Sequence, residues 1–364
     1  MSNARCFLSR QEQSLDALSE LLSQLETQQL STDGVGILLA SEHHRAQAEK
    51  LRSTLATEAK LSALTGTITR AGLVGKEAFF GESFLVLLRW EPEPAKSPRP
   101  LQLSRLGDHN LDSTLEAAMI LSSSTTAHAV LESASVHDIF TMGATTFAAE
   151  PTLQFHSDGS IIAGATGLGW NDSSSIATVL IPGAEDLSPP LEVTAAHQDI
   201  VIELEGRPAV DVLCEILGID TVAAFETIGT QYLIGIEHNA HDYSQRVYRH
   251  IRALDPNQRM FSIDHTVSKG DRLTIGRRSR ESASKLIHKH TKEFVARLAD
   301  RSLQAIVFQG CIARGPAVFD DANEEATLIA HYFPEIPLIG TYGNGEFFGQ
   351  ELQSYAAVLT AILE

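Results

Sequence analysis

Apolar positions recur along the chain with two periods. Leu15, Leu18, Leu22 and Leu25 fall at helical spacing, with Ser9 and Glu12 before them in a capping-box pattern. They predict an N-terminal docking helix, the plainer alternative being a frayed surface helix. GVGILLAS, ending at Ser41, predicts a short buried strand, and His44 to Leu55 a helix with Ala48, Leu51 and Leu55 on one face. LTGTITRAGLVG reads as a glycine-punctuated strand and ESFLVLLRW as another. From Glu91, EPEPAKSPRP is too proline-rich to keep a hydrogen-bond ladder and predicts a linker or surface loop.

The far end of the chain repeats this order. AIVFQGC, ending at Cys311, predicts a strand, and Asp321–Phe333 a helix with Ala322, Ala326, Ile329 and Phe333 on one side. LIGTYGNGEFFG then aligns with LTGTITRAGLVG, and QSYAAVLTAIL with ESFLVLLRW, at an offset of about 270 residues. Between these ends, strands are predicted around the Asp158-Gly159 turn and over Asp199–Leu204. A helix is predicted from Pro208 to Gly218, and a long late one over Ser282–Asp300. The expected fold is α/β of the α+β kind: mixed sheets flanked by helices, in two pseudo-symmetric halves related by an internal repeat. The expected boundaries are 1–32 for an N-terminal helix or tail, 33–230 for the first half and 231–364 for the second.

Composition narrows the function. The 364 residues are 43% hydrophobic and 20% charged, enough apolar material to bury a core. The net charge of -18 argues against nucleic acid and membrane surfaces as partners. Three cysteines without a C-x-x-C pair, and an N-terminus without a long apolar run, point to a reducing cytoplasm.

No P-loop, dinucleotide fingerprint, zinc-protease helix or nucleophile elbow occurs. Cys311 ends a strand, with Arg314-Gly315 just beyond it and a helix start at Asp321; positive charge and backbone amides there favour a thiolate. The alternative is a small apolar residue filling a strand end. Gly340–Gly349 interleaves glycines with Tyr342, Asn344 and Glu346, so backbone and polar groups can meet a ligand, or the glycines can simply serve tight turns. A second glycine-rich stretch ends in Trp170 and Asn171, where Trp170 floors a pocket or joins the core. Of fourteen histidines, His156 and His238 stand beside strand patterns where a side chain can face a cavity.

VFQGCIARGPAVF, NEEATLIAHYFPEIPLIGTYGNGEFFG and LQSYAAVLTAIL together resemble the C-terminal half of the FIST sensory domain. The matching signature residues are Cys311, Arg314-Gly315 and Gly345-Glu346. GVGILLAS through ESFLVLLRW resembles the start of the N-terminal FIST half, and LEVTAAHQDIVIELEGRPAVDVLCEILG its end, through Gly206, Pro208 and Ala209. The middle departs from the pattern: TMGATTFAAE stands where a Gly-Gly-rich segment is usual. The resemblance implies a non-enzymatic cytoplasmic sensor of small molecules such as amino acids. Its signal would pass to a separate partner, a histidine kinase of a two-component system or a cyclic-di-GMP enzyme. One branch of the family resembles a haem protein that senses nitric oxide, with His156 or His238 as the axial ligand here; a thiol enzyme built on Cys311 is the third reading. The expected ligand-binding residues are Cys311, Arg314, Gly315, Tyr342, Asn344, Glu346, Trp170 and Asn171.

Overall fold

The computed structural model describes residues 3–31, 33–103, 111–219, 229–237 and 246–364. They form two compact units: Met1–Ile181 with Ile287–Leu352 and Ala356–Glu364, and Pro182–Leu286 with Gln353–Tyr355. The units are drawn differently from the halves at 33–230 and 231–364, because both repeats give their strands to the first unit.

In chain order the first unit begins with β1 (Arg5–Ser9), α1 (Ser14–Glu26), β2 (Gly34–Ser41), α2 (Ala48–Glu58), β3 (Leu61–Thr69), β4 (Ala71–Val74), β5 (Glu77–Phe80) and β6 (Leu85–Trp90). It continues through β7 (Arg99–Leu103), β8 (Ala117–Ser122), α3 (Ala127–Val136), β9 (Phe140–Thr146), β10 (Leu153–His156), β11 (Gly159–Ile162), β12 (Ala165–Trp170) and β13 (Ile176–Ile181). The second unit holds β14 (Glu185–Asp186), β15 (Leu191–His197), β16 (Ile200–Leu204), β17 (Arg207–Pro208), α4 (Ala209–Leu217), β18 (Tyr232–Glu237), β19 (Arg246–Asp255), β20 (Met260–Ile263) and β21 (Arg272–Arg277). After α5 (Arg280–Arg297) come β22 (Leu303–Cys311), α6 (Glu324–Ala330), β23 (Leu338–Gly349), β24 (Glu351–Gln353) and β25 (Ala357–Leu363).

The first unit stacks two sheets. One has the order β1-β6-β2-β3-β10-β11, the other β13-β25-β22-β23-β9-β8-β12-β7. In the first, β2 runs parallel to β3 and antiparallel to β6; in the second, β22 runs parallel to β23 and antiparallel to β25. Both triplets are flanked by an antiparallel strand on each side, β1 and β10 in one, β13 and β9 in the other. The repeat read from the sequence is therefore a repeat of topology.

Alternation along β2 explains the layers. Val35, Ile37 and Leu39 share a core with Met119, Val307 and Ile339 of the facing sheet. Leu38 and Ala40 point the other way, against Leu18 and Leu21 of α1 and Leu51 and Leu55 of α2. The N-terminal helix is thus spent inside its own unit. Ala118 and Ile120 of β8 meet Val130 and Ala134 of α3 on the far side of the second sheet. Between the sheets, hydroxyls at period two on β3 bond across: Thr65 to Thr166, Thr67 to Thr146 and Thr69 to Thr341, each at 3.1 Å.

Some local expectations shift. Ser9 ends a strand paired with β6 instead of capping a helix, and α1 starts at Ser14. α6 is shorter than Asp321–Phe333, because the Asp321 carboxylate accepts the Asn323 N–H at 2.9 Å and holds a turn. The Pro-rich segment runs into β7, an edge strand where a missing N–H does no harm. In the second unit, β21-β15-β16-β20-β19-β18 closes on itself through β21–β18 pairing. This antiparallel ring encloses Val193, Val201, Ile236, Phe261 and Leu273.

Two glycines at equivalent positions fix strand spacing. A Cβ on Gly66 would lie 1.9 Å from the Leu38 carbonyl oxygen, and one on Gly340 would lie 2.3 Å from that of Phe308. The registers pair Leu38 with Gly66 and Phe308 with Gly340. Gly66→Ala and Gly340→Ala should each cost about 2 kcal/mol or more in denaturant unfolding. Gly159→Ala, facing open space, should stay within about 0.5 kcal/mol. Equal midpoints for all three would contradict the close approach.

Candidate functional site

Charged side chains are buried where β22 ends. The Cys311 N–H donates to the Ala356 carbonyl at 2.9 Å, the Ile312 N–H to Gly343 at 2.8 Å, and the Arg314 N–H back to Cys311 at 2.9 Å. This turn aims Arg314 inward. Gly315 follows at φ 52°, and a Cβ there would sit 2.4 Å from the Phe80 ring. Arg314 is 3% exposed, and Glu325, Tyr342 and Glu346 are 0% exposed.

The Arg314 guanidinium donates through Nε to Glu325 Oε1 at 2.6 Å, with Nη2 also 2.6 Å from that oxygen. Glu325 comes from the first turn of α6, 11 residues beyond Arg314. Tyr342, on β23, packs its ring against Phe80 at 4.8 Å and Phe308 at 5.1 Å. Burial, then the nearby Glu325 carboxylate, keeps its hydroxyl well above the ordinary tyrosine range, so it stays a neutral donor. Glu346 lies past a bulge between Gly343 and Glu346 where β23 meets β9. The Ala356 N–H and the Cys311 thiol approach its carboxyl, yet neither oxygen gains a well-formed hydrogen bond. The Tyr342 hydroxyl approaches Glu325, but neither it nor Glu325 Oε2 gains a well-formed hydrogen bond. Burial raises the Glu346 carboxyl well above the usual carboxylate range, against the pull of Arg314.

The cover comes from the first repeat. β4 pairs with β23, and β5 folds back on β4, so Phe80 lies over Tyr342 and Gly315. The hairpin is tied to the second repeat by the Ala78 N–H, which donates to Asn323 Oδ1 at 2.8 Å.

Of the residues expected to bind ligand, Cys311, Arg314, Gly315, Tyr342 and Glu346 are gathered here. Asn344 is on the same strand but exposed, its N–H donating to Thr145 Oγ1 at 3.1 Å. Trp170 is buried in the inter-sheet core at the end of β12, and Asn171 is exposed beside it. The strand registers put this end three strands and about five residues from the cluster, on the order of 20 Å away. Glu325 and Phe80 were not among the expected residues; Glu325 reads as an ordinary acidic helix start, and Phe80 is separated from the motif by most of the chain.

The haem reading finds no fit at His156. Its Nδ1 accepts the Asp158 N–H at 3.1 Å, which puts the ring proton on Nε2 and leaves that nitrogen no lone pair for iron. His238 lies outside the described residues.

By the repeat, His44 occupies the place of Arg314, each three residues beyond its strand. His44 is buried and bonds Ser14 Oγ at 3.1 Å and Ser83 Oγ at 3.3 Å. Burial, with His43 nearby, lowers its pKa to about 4. The first repeat thus holds a neutral, satisfied version of the site.

Because the native Glu346 carboxyl titrates above its unfolded value, the stability it contributes is fully present in acid and is lost as pH climbs past the ordinary carboxylate range. The slope reaches about 1.4 kcal/mol per pH unit. Urea midpoints of Glu346→Gln and the parent should coincide near pH ~4 and diverge toward neutrality, the variant being the more stable. Parallel curves would show Glu346 ionised in both states. Arg314→Met strands Glu325 and should cost about 3 kcal/mol or more.

Residues 34–207 match the FIST N domain and residues 209–349 the FIST C domain. An uncharacterized protein of Mycobacterium bovis and one of Mycobacterium tuberculosis are each 29% identical to this chain over 172 residues, 46% of it and 44% of theirs. The match thus spans less than half the length of these relatives.

Proposed function

The chain belongs to the FIST family, a family of sensory domains associated with signal transduction, and on that premise we propose that it receives a small polar ligand at the buried cluster around Arg314. One observation carries this reading. Glu325 Oε2, both Glu346 oxygens and the Tyr342 hydroxyl are buried beside one guanidinium without well-formed bonds. An unsatisfied buried polar group costs about 1–3 kcal/mol, and several at one spot are a reason to expect a guest that bonds them.

The reading is non-enzymatic. The Cys311 thiol meets a carboxyl, which does not activate a nucleophile as a neighbouring imidazole would. Ligand bonding here would favour one arrangement of β22, α6 and the β4–β5 hairpin, and a separate effector would read it. A histidine kinase or a cyclic-di-GMP enzyme is the class of partner that fits such an output. A cytoplasmic setting fits cysteines that are not joined in disulfides; among the described residues no helix is long and apolar enough to cross a membrane.

Thermal unfolding in the presence of amino acids, amines and small carboxylates tests the proposal. At least one compound should raise the melting temperature by a few degrees, and Arg314→Gln should abolish the rise. No stabilising compound, or a rise untouched by Arg314→Gln, would refute it.

A further inference from the structure

Charge and donor counting narrow the ligand. Arg314 and Glu325 form a pair whose charges cancel, and the guanidinium directs both Nε and Nη2 at one Glu325 oxygen. Glu346 adds a second carboxyl to this single cation, wholly withdrawn from solvent. The charged and titratable groups around it are Arg314, Glu325 and Cys311, with Tyr342 beyond Glu325. The oxygens without well-formed bonds are three carboxylate atoms, Glu325 Oε2 and Glu346 Oε1 and Oε2, and one hydroxyl. Those oxygens can accept N–H bonds, and once Glu346 is ionised the two carboxylates exceed the single guanidinium by one negative charge.

A primary ammonium has three N–H donors and an amidinium or guanidinium has more. A ligand carboxylate fares worse: its natural partner, Arg314, is already engaged, so it would have to displace Glu325 and would sit beside Glu346. The chain's net charge of -18 also raises the local concentration of small cations.

We propose that the ligand is a small organic cation without a carboxylate, an alkyl amine or guanidine, whose cationic head bonds Glu346 and Glu325 Oε2. The inference rests on the cluster being the ligand site. Binding favours the ionised Glu346 carboxylate paired with the ligand cation, and any proton the buried carboxyl holds leaves to solvent. Charge beneath Phe80 and Tyr342 is then balanced: two anions against Arg314 and the ligand.

Matched pairs decide the matter. Ethylamine and alanine, and isobutylamine and valine, differ by one carboxylate, and each amine carries a single positive charge. Calorimetric titration of the full chain at neutral pH should show an amine binding at least tenfold more tightly than its amino acid. Repeating it in buffers of different ionisation heat should show protons released as the cation binds. Glu346→Gln, expected to fold at least as stably as the parent, should weaken the amine tenfold or more while removing the proton release. Amino acids binding as well as amines, or amine binding indifferent to Glu346→Gln, would overturn the inference. If another polar compound stabilises the protein through Arg314 while no amine binds, the receptor reading survives and the cation assignment falls. If nothing binds, both fall.

Discussion

Holding a guanidinium and two carboxyl groups out of water is the constraint around which the second repeat is organised. Each ion removed from solvent costs several kcal/mol, which only close pairing returns. The Arg314–Glu325 contact at 2.6 Å meets that need for one pair. Nothing comparable is on hand for Glu346, so its carboxyl is pushed toward the protonated form. The surroundings keep water away: Phe80 and Phe308 sandwich the Tyr342 ring, and Gly315 lets Phe80 come down onto the turn. Any larger residue at position 315 would lift that cover.

The repeat explains why, among the described residues, the first repeat carries no charged cluster like that of the second. Both copies use the same strand order, the same close glycine contact and the same turn three residues long after the central strand. The chemistry placed on this frame differs. His44 with Ser14 and Ser83 is neutral and satisfied, a good core element. Arg314 with Glu325 and Glu346 is charged and incompletely satisfied, a poor core element by itself. The copies are also interlocked, since β4 of the first pairs with β23 of the second and carries Phe80 to the charged cluster. A change at the cluster is thereby a change in how the repeats hold each other, a property suited to signalling.

Some of this was legible in the chain. The two matching strand–helix–strand runs gave the topology, because period-two burial and glycine spacing survive in sequence. Cys311, Arg314, Tyr342 and Glu346 stood out because charge and polarity are interleaved with glycine at strand ends, a pattern that tight turns and strand-end packing produce as well. Trp170 and Asn171 were drawn in by the same glycine signal. The glycines there face close approaches instead, with a Cβ at Gly167 lying 2.2 Å from the Met119 carbonyl oxygen.

The sequence alone determined the periodic elements, their repeat and the identity of the polar residues at the end of β22 and along β23. Each depends on neighbours a few residues apart. Tertiary structure decided which of those residues face one another. Glu325 became the partner of Arg314 only when the start of α6 came beside the turn after β22, and Phe80 became a cover only when a hairpin of one repeat joined the sheet of the other. The closed ring of the second unit likewise hangs on β18 and β21 pairing across a long stretch of chain. Burial and pairing between distant segments set the charge balance of the site, and no local pattern encodes them.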